Sequence, residues 1–253
     1  MTQDDELKQI FHSGWTNPNV VSHRVERFLK GEFGFPLSRT AWLEVLRQTV
    51  PGEARRKIAD MGTGPGTIAQ LWAELGHEVT GVDFSATMIS AGQAAAKERG
   101  LTVDFVEADV EAPPFPEKTF DVISSRAVLF TLPHPGYAVA RWTRLLKPGG
   151  SLVLIGENNP TDPEKLKRQY RPAPGWEPDE AYRRALDILP FRSHTDEMVR
   201  VVMEAAGLRN IRSMPMQSVM DARSEHEKQD PEYGVLQGTP YVLTGQRIED
   251  MDG

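Results

Sequence analysis

A glycine-rich segment next to an acidic residue forms a pattern that can hold a nucleoside. Residues 60–66 read Asp-Met-Gly-Thr-Gly-Pro-Gly and come at the end of an apolar run. The glycines at 62, 64 and 66 let the chain turn tightly and leave room for a ligand against the bare backbone. Asp60 adds a negative charge where a pyrophosphate would otherwise bind. The loop therefore suits a ligand with cationic ammonium and sulfonium groups.

A second acid stands at the spacing that puts a carboxylate on a ribose. Asp83 comes 21 residues after Gly62, at the end of another apolar run. In dinucleotide folds an acid about 20 residues after the glycine loop binds ribose hydroxyls. The dinucleotide fingerprint, G-x-G-x-x-G, has its third glycine one residue later than Gly66. We therefore expect a nucleoside ligand and not a nucleotide.

Alternating strands and helices must position these residues. From Lys57 to about Glu157, short apolar runs alternate with helical stretches, which indicates a parallel sheet with crossover helices. We expect strands at 57–61, 78–82, 102–106, 120–124 and 151–155, and helices at about 67–75, 85–99 and 135–146. In such sheets ligands bind at the carboxyl ends of the strands, where the loop and Asp83 both lie.

The last part of the chain is less regular. We expect a helix at about 195–206 with Thr195 as its N-cap, followed by strands at 211–220 and 240–247. The segment from Asp221 to Glu232 carries five acids against two bases. Such charge patterns are typical of exposed loops, and we expect one there.

Two segments flank or interrupt the predicted sheet. Residues 1–50 read as helical, because their apolar residues recur three and four positions apart, and we expect a helical cap. Residues 51–253 then form the main domain. Within it, 160–192 holds six prolines and four large aromatic residues, which indicates a lid or substrate-pocket insertion. Its aromatic side chains either stack on an acceptor ring or pack the insertion on the domain.

Composition excludes several kinds of site and partner. The chain has 253 residues, no cysteine and a formal net charge of −7. Disulfides, thiolate metal ligands and cysteine nucleophiles are therefore excluded, and nucleic-acid binding is disfavoured. The first residues are acidic, and no apolar run approaches the roughly 18 residues of a membrane span. We expect a cytoplasmic protein without metal, nucleic-acid partner or membrane segment; whether it is a monomer or a homodimer stays open.

Five motifs follow one another between residues 55 and 157. They are the glycine loop, Val-Asp-Phe-Ser-Ala-Thr-Met at 82–88, Glu-Ala-Asp-Val-Glu at 107–111, Phe-Asp-Val-Ile-Ser-Ser-Arg at 120–126 and Leu-Leu-Lys-Pro-Gly-Gly at 145–150. With these motifs in this order, the chain resembles the class I S-adenosylmethionine-dependent methyltransferases. It is similar to their small-molecule branch, of the ubiquinone and menaquinone biosynthesis type. The flanks carry the resemblance only weakly.

The resemblance implies an α/β fold and a reaction. The fold is a Rossmann-like, seven-stranded, mostly parallel sheet with the last strand antiparallel. Helices cover both faces, with an N-terminal helical cap and an insertion after the fifth strand. The implied cofactor is S-adenosyl-L-methionine, and its product is S-adenosyl-L-homocysteine. The implied reaction is direct in-line methyl transfer to a nitrogen, oxygen or sulfur atom of a small-molecule metabolite.

The resemblance also implies a set of cofactor-binding residues. Asp60, Gly62, Thr63 and Gly64 face the methionine moiety, Gly66 completes the loop, Asp83 binds the ribose, Phe84 and Met88 flank the adenine, Asp109 accepts its exocyclic amine, Val110 gives a backbone contact, and Ser125 and Arg126 lie beside the sulfonium. Ala127 stands where a larger residue is common, which implies a roomier acceptor pocket.

Several alternatives stay open from the residues alone. Phe84 and Met88 are equally compatible with ordinary core, and Asp109 with a loop or helix-capping acid. A base is needed only for an acceptor that arrives protonated, so the catalytic residue stays unknown, with His134 as the candidate. A non-catalytic S-adenosylmethionine-binding protein would keep the same loop. An NAD(P)-dependent oxidoreductase would need the later third glycine and a second Rossmann half.

Overall fold

A seven-stranded sheet forms the centre of the fold. The computed structural model describes residues 3–158, 173–230 and 239–248. The strand order is β3-β2-β1-β4-β5-β7-β6. The strands are β1 (Lys57–Met61), β2 (Glu78–Asp83), β3 (Asp104–Glu107), β4 (Phe120–Arg126), β5 (Leu146–Asn158), β6 (Leu208–Ser213) and β7 (Thr239–Arg247).

The pairing directions confirm the predicted fold class. β1 pairs in parallel with β2 and β4, and β4 in parallel with β5. β7 is antiparallel to both β5 and β6. The strand order reverses between β1 and β4, and such a switch point opens a crevice at the carboxyl ends of these strands. The glycine loop after β1 and the end of β4 meet at this crevice.

Helices cover both faces of the sheet. They are α1 (Gln3–Trp15), α2 (Pro18–Arg24), a π-helix (Val25–Glu32), α3 (Pro36–Thr49), α4 (Thr67–Glu74), α5 (Ala86–Glu98), α6 (Pro135–Leu145), α7 (Glu180–Ile188), α8 (Asp196–Ala205) and α9 (Gln217–Gln229). Thr195 is the N-cap of α8, as predicted, and accepts from the backbone N–H of Met198. Ser85 caps α5 in the same way, accepting from the backbone N–H of Met88. Trp72 and Trp142 are fully buried, one in each of the two apolar clusters that include sheet residues.

The described part of the proline-rich segment packs on the N-terminal helix. The Tyr182 ring on α7 meets the Phe11 ring on α1 edge-on, with centroids 5.4 Å apart, and the Trp176 ring at 5.0 Å. A side chain at Gly14 would lie 2.5 Å from the Tyr182 ring. These two insertion aromatics therefore pack the segment against α1; residues 159–172 lie outside the described chain.

Two predictions near the end of the chain were wrong. The strand predicted at 211–220 ends at Ser213, and the exposed loop predicted from residue 221 is part of helix α9. Val219, Ala222 and His226 are buried at spacings of three and four, which is the helical period. Of the acidic residues on this helix, Asp221 and Glu227 are exposed and Glu225 is half-buried. Elsewhere the differences are shifts of boundary: β3 begins at Asp104 and β5 already at Leu146.

Candidate active site

The glycine loop takes a backbone conformation that requires glycine. Gly62 has φ +69° and Gly64 φ +55°, in the left-handed region that other residues rarely adopt. A Cβ on Gly62 would lie 2.3 Å from Cγ2 of Val128, so a side chain has no room there. At Gly64 no atom lies within 4 Å of an added Cβ. Gly64 therefore leaves its backbone open to the adjoining cavity.

Asp60 lies behind the loop and lines neither of the two cavities described below. Its carboxylate is 2% exposed and accepts hydrogen bonds from the hydroxyls of Thr63 and Ser124, both at 2.7 Å. Burial raises the pKa of Asp60 to about 6, although these hydroxyls act in the opposite direction. The acid therefore fixes the side chain of Thr63. Thr63 itself lines the smaller cavity, so Asp60 lies one residue behind the cavity wall.

Asp83 closes the other side of the same crevice. Its two carboxylate oxygens accept from the backbone N–H groups of Gly64 and Ser85, each at 2.9 Å. Burial raises the pKa of Asp83, with these two donors opposing the shift. Each oxygen has a second lone pair that can accept a further hydrogen bond. The backbone donors thus orient the acid without using up its capacity for a diol.

Eight of the predicted cofactor residues surround one cavity of about 120 Å³. They are Gly62, Thr63, Gly64, Asp83, Phe84, Met88, Val110 and Arg126. Asp60, Gly66, Asp109 and Ser125 do not line it; Ser125 lines a neighbouring larger cavity. The crevice at the switch point of the sheet is therefore assembled from β1, β2, β4 and the loops that follow them.

Asp109 has a partner that sequence analysis did not identify. The Lys8 ammonium on α1 lies 2.6 Å from an Asp109 oxygen and 2.8 Å from a Glu111 oxygen. The other Asp109 oxygen accepts from the backbone N–H of Glu111 at 2.8 Å. The predicted adenine acceptor is therefore tied to the N-terminal helix. A single lysine 101 residues away carries no sequence signal that could have predicted this pair.

The larger of these two cavities, of about 270 Å³, adjoins the first. The two share the lining residues Arg24, Phe28, Arg126, Ala127, Val128 and Phe130. Trp42, Leu154 and Ile155 add apolar surface. Ala127 has φ +54°, an unusual conformation for a residue with a side chain and one often found at functional sites. The volume is at the small end of ligand pockets and fits a small metabolite.

A buried cluster of charges forms one wall of the larger cavity. Glu32, at the end of the π-helix, is 0% exposed and accepts from Arg126 at 2.8 Å, Arg223 at 2.7 Å and the Trp42 indole at 3.0 Å. Burial would raise the pKa of Glu32, but the two arginines outweigh it and hold the pKa below its usual value. Arg223 also donates to Glu157 at 3.1 Å. Arg126 therefore enters the cavity wall with its charge largely compensated.

His194 and Tyr241 form a second polar contact in this wall. The His194 Nε2 lies 3.0 Å from the Tyr241 hydroxyl, and its Nδ1 lies 2.8 Å from the carbonyl oxygen of Phe191. Both side chains are buried and line the larger cavity. Burial lowers the pKa of His194 and raises that of Tyr241. Sequence analysis did not pair them, because the two residues are 47 positions apart.

His134, the candidate base from sequence, lines neither cavity. Its side chain is 46% exposed and lies 3.5 Å from Asp4 and 3.6 Å from Glu111. Its backbone N–H donates to Glu111 at 2.7 Å, at the start of α6. The structure therefore gives His134 a position at a helix start, away from the crevice.

The described residues, 3–158, 173–230 and 239–248, contain neither a metal-binding cluster nor a membrane-spanning helix. Within these ranges, no three His, Asp or Glu side chains form a group that could hold a metal ion. No helix in the same ranges is both long and apolar enough to span a bilayer.

Comparison with known proteins gives one family. Residues 59–154 match the family model described as a methyltransferase domain. The ubiquinone biosynthesis O-methyltransferase of Pectobacterium atrosepticum is 33% identical over 149 residues, which cover 54% of this chain and 61% of that protein. The ubiquinone/menaquinone biosynthesis C-methyltransferase of Stutzerimonas stutzeri is 31% identical over 171 residues, covering 61% and 66%. The chain spans between 48% and 66% of the length of the curated relatives it matches.

A solved structure shows the same fold. Phosphoethanolamine N-methyltransferase 2 of Haemonchus contortus aligns with a TM-score of 0.69 at 18% identity, covering 96% of this chain and 60% of that one. This similarity shows that the two chains share a fold. The family match shows that residues 59–154 of this chain form a methyltransferase domain of the S-adenosylmethionine-dependent kind.

Proposed function

We propose that this protein transfers the methyl group of S-adenosylmethionine to a small-molecule acceptor in the larger cavity. The observation that carries the proposal is that the two cavities adjoin, with Arg126, Ala127 and Val128 in the lining of both. One cavity has the glycine loop and an acid suited to a ribose; the other is mainly apolar and small. A methyl donor in the first would present its reactive group to an acceptor in the second.

The residues fit S-adenosylmethionine by charge and shape. Asp83 would accept from the ribose hydroxyls, since each of its oxygens has a lone pair beyond those used by Gly64 and Ser85. Phe84 and Met88 offer apolar contact to the adenine. Asp60, behind Thr63, supplies negative charge near the methionine end. When bound, this cofactor supplies a methyl group on a cationic sulfur.

The protein's contribution to the transfer would be orientation in a dry pocket. Direct displacement needs the acceptor atom, the methyl carbon and the sulfur in line, and enclosure of the reactants keeps water out. Phe28, Trp42 and Leu186 supply the apolar enclosure, the first two from the N-terminal segment and the last from α7. Residues 1–50 would thus act as a cap, and 160–192 as a lid or pocket wall, as the sequence predicts.

Calorimetric titration with S-adenosylmethionine tests the cofactor site. We expect Asp83→Ala to weaken binding by about 1.5–3 kcal/mol, or roughly 10- to 150-fold, because hydrogen bonds to a charged acceptor are lost. Asp104→Ala is the matched control: this acid lies at the exposed start of β3. A folded Asp83→Ala variant with the parental Kd would remove Asp83 from the cofactor site.

Turnover separates an enzyme from a non-catalytic binder. Formation of S-adenosylhomocysteine is measured with catechol, benzylamine and thiophenol, which present oxygen, nitrogen and sulfur acceptors of similar size. Transfer to any of them supports the proposed function. Tight cofactor binding without transfer to any of them would favour a methyltransferase-like binding protein.

A further inference from the structure

Tyr241 is held in a defined place in the wall of the larger cavity. It lies opposite Gly156 in the β5–β7 pairing, and both residues line the cavity. A Cβ on Gly156 would lie 2.4 Å from the Tyr241 hydroxyl oxygen. The glycine therefore leaves the space that the hydroxyl occupies, and His194 fixes it from the other side at 3.0 Å.

The hydrogen bonds define where the protons are. The Phe191 carbonyl can only accept, so His194 Nδ1 carries its hydrogen and donates at 2.8 Å. In the neutral ring Nε2 is then an acceptor, and the Tyr241 hydroxyl donates to it. The tyrosine oxygen keeps lone pairs that can accept a hydrogen bond from a ligand in the cavity. The Tyr241 oxygen can therefore accept a proton from a ligand in the cavity while its own proton moves to His194 Nε2.

We propose that Tyr241 and His194 form a proton relay that accepts the hydroxyl proton of the methyl acceptor, which makes the acceptor a hydroxyl compound. The inference rests on the proposed function. As the bond between the acceptor oxygen and the methyl carbon forms, the bond between methyl and sulfur breaks and its electron pair stays on sulfur. The acceptor proton passes to the Tyr241 oxygen, and the Tyr241 proton passes to His194 Nε2.

The charges balance across this step. The sulfonium loses its positive charge as His194 gains one, so the total charge of the buried site is unchanged. Glu157 on β5 and Asp196 at the start of α8 exert a negative field at Tyr241, and Arg192 and Arg223 also line the cavity. Because burial lowers the pKa of His194, the ring is neutral and able to accept at neutral pH. The proton leaves to solvent after the product departs.

Glu157 is a competing base in the same cavity, and its contact with Arg223 acts against proton uptake. Its carboxylate accepts from Arg223 at 3.1 Å, and this ion pair reduces its tendency to accept a proton. Burial nevertheless raises the pKa of Glu157. A Glu157→Gln variant is therefore included in the test. His194 has no such cation in its two ring hydrogen bonds, which go to Phe191 and Tyr241.

The first experiment measures proton transfer without turnover. The probe is 4-nitrophenol, whose ionised form is coloured, bound to the protein with S-adenosylhomocysteine. We expect the bound probe to ionise at lower pH in the parental protein than in Tyr241→Phe or His194→Gln, by about one pH unit or more. His194→Gln preserves a hydrogen-bond acceptor for Tyr241 but not a base. His77→Gln, at the opposite end of the sheet before β2, is the matched control and should titrate like the parent.

The second experiment compares two acceptors of different acidity. With catechol, which arrives protonated, we expect His194→Gln and Tyr241→Phe to lower kcat by about 100-fold or more, with KM within about threefold. With 4-nitrocatechol at pH 8, which is already ionised, the same variants should lose less than about fivefold. A purely structural defect would lower kcat by the same factor for catechol and for 4-nitrocatechol.

Four outcomes would overturn the relay. They are equal losses with the two acceptors, a loss confined to Glu157→Gln, transfer only to an amine or a thiol, and binding of S-adenosylmethionine without transfer to either catechol. Absence of S-adenosylmethionine binding in calorimetry is a different result, because it overturns the proposed function itself.

Discussion

Replacing Glu32 by glutamine is expected to destabilise the protein strongly while hardly changing the shape of the side chain. Glu32 is fully buried and receives hydrogen bonds from Arg126, Arg223 and Trp42. Glutamine keeps one carbonyl oxygen but no charge, and its amide group meets a guanidinium where the second oxygen was. Arg126 and Arg223 would then lose the carboxylate that both of them contact, and Glu157, which pairs with Arg223, is itself 26% exposed.

The expected loss follows from the cost of unpaired buried charge. Breaking a buried ion pair by removing one partner costs about 3–5 kcal/mol. We take about 3 kcal/mol, the low end, because the glutamine oxygen still accepts one hydrogen bond. For a chain of this length each kcal/mol lowers Tm by about 2–4 °C, which gives a decrease of about 6–12 °C.

Calorimetric or circular-dichroism melting measures this shift. The matched control is Glu44→Gln, which removes an exposed pair with Arg47 on α3 and should leave Tm close to the parental value. The pKa of Glu32 is held below its usual value, so its stabilising contribution is present above the ordinary glutamate pKa and is lost as pH falls through the folded value. The difference in Tm between the parental protein and Glu32→Gln should therefore decrease at acidic pH. A Tm within the range of the Glu44→Gln control would refute the reasoning.

Three further predictions concern the loop and its surroundings. Gly62→Ala should weaken S-adenosylmethionine binding by about 10-fold or more in calorimetry, because it combines φ +69° with a 2.3 Å approach to Val128. The pKa of Asp60 is raised to about 6, so the acid should lose its charge as pH falls through that value. The ratio of the Kd for S-adenosylhomocysteine to the Kd for S-adenosylmethionine should therefore decrease from pH 8 to pH 5. In Asp60→Asn this ratio should not change with pH. Lys8→Met should lower the free energy of unfolding in urea titration by at least about 1 kcal/mol, because it removes the cation from the half-exposed Asp109 and from the buried Glu111.

The parts of the fold that could be predicted depend on local rules. The turn after β1 needs glycine whatever surrounds it, and Ser85 caps α5 through a bond to a residue three positions away. The sequence predicts both ends of strands β1 and β2 to within one residue, because each strand is a short apolar run that ends next to an acid or a glycine. The sequence analysis did not predict helix α9. Its buried residues have helical spacing, but the many acidic residues of the segment favour an exposed loop.

The parts that could not be predicted join residues far apart in the chain. Glu32 and Arg223 are 191 positions apart, and Lys8 and Asp109 are 101. Neither pair has a spacing or motif, because the contact exists only after the sheet has brought the elements together. The candidate base illustrates the consequence: His134 follows β4 closely in sequence, yet its ring faces Asp4 and Glu111, whereas His194 reaches the cavity from the start of α8.

Several residues that line the larger cavity lie outside the region that the family model matches. The matched region, 59–154, supplies the glycine loop, Asp83 and Arg126. Glu32 on the π-helix compensates the charge of Arg126, and Arg223 on α9 donates to the same carboxylate. Arg126 could not remain buried without Glu32, so the cofactor half of the site depends on the N-terminal segment for its electrostatic balance. His194 and Tyr241 likewise lie beyond the matched region. Acceptor chemistry should therefore vary with these flanking segments among related chains, while the cofactor loop stays the same.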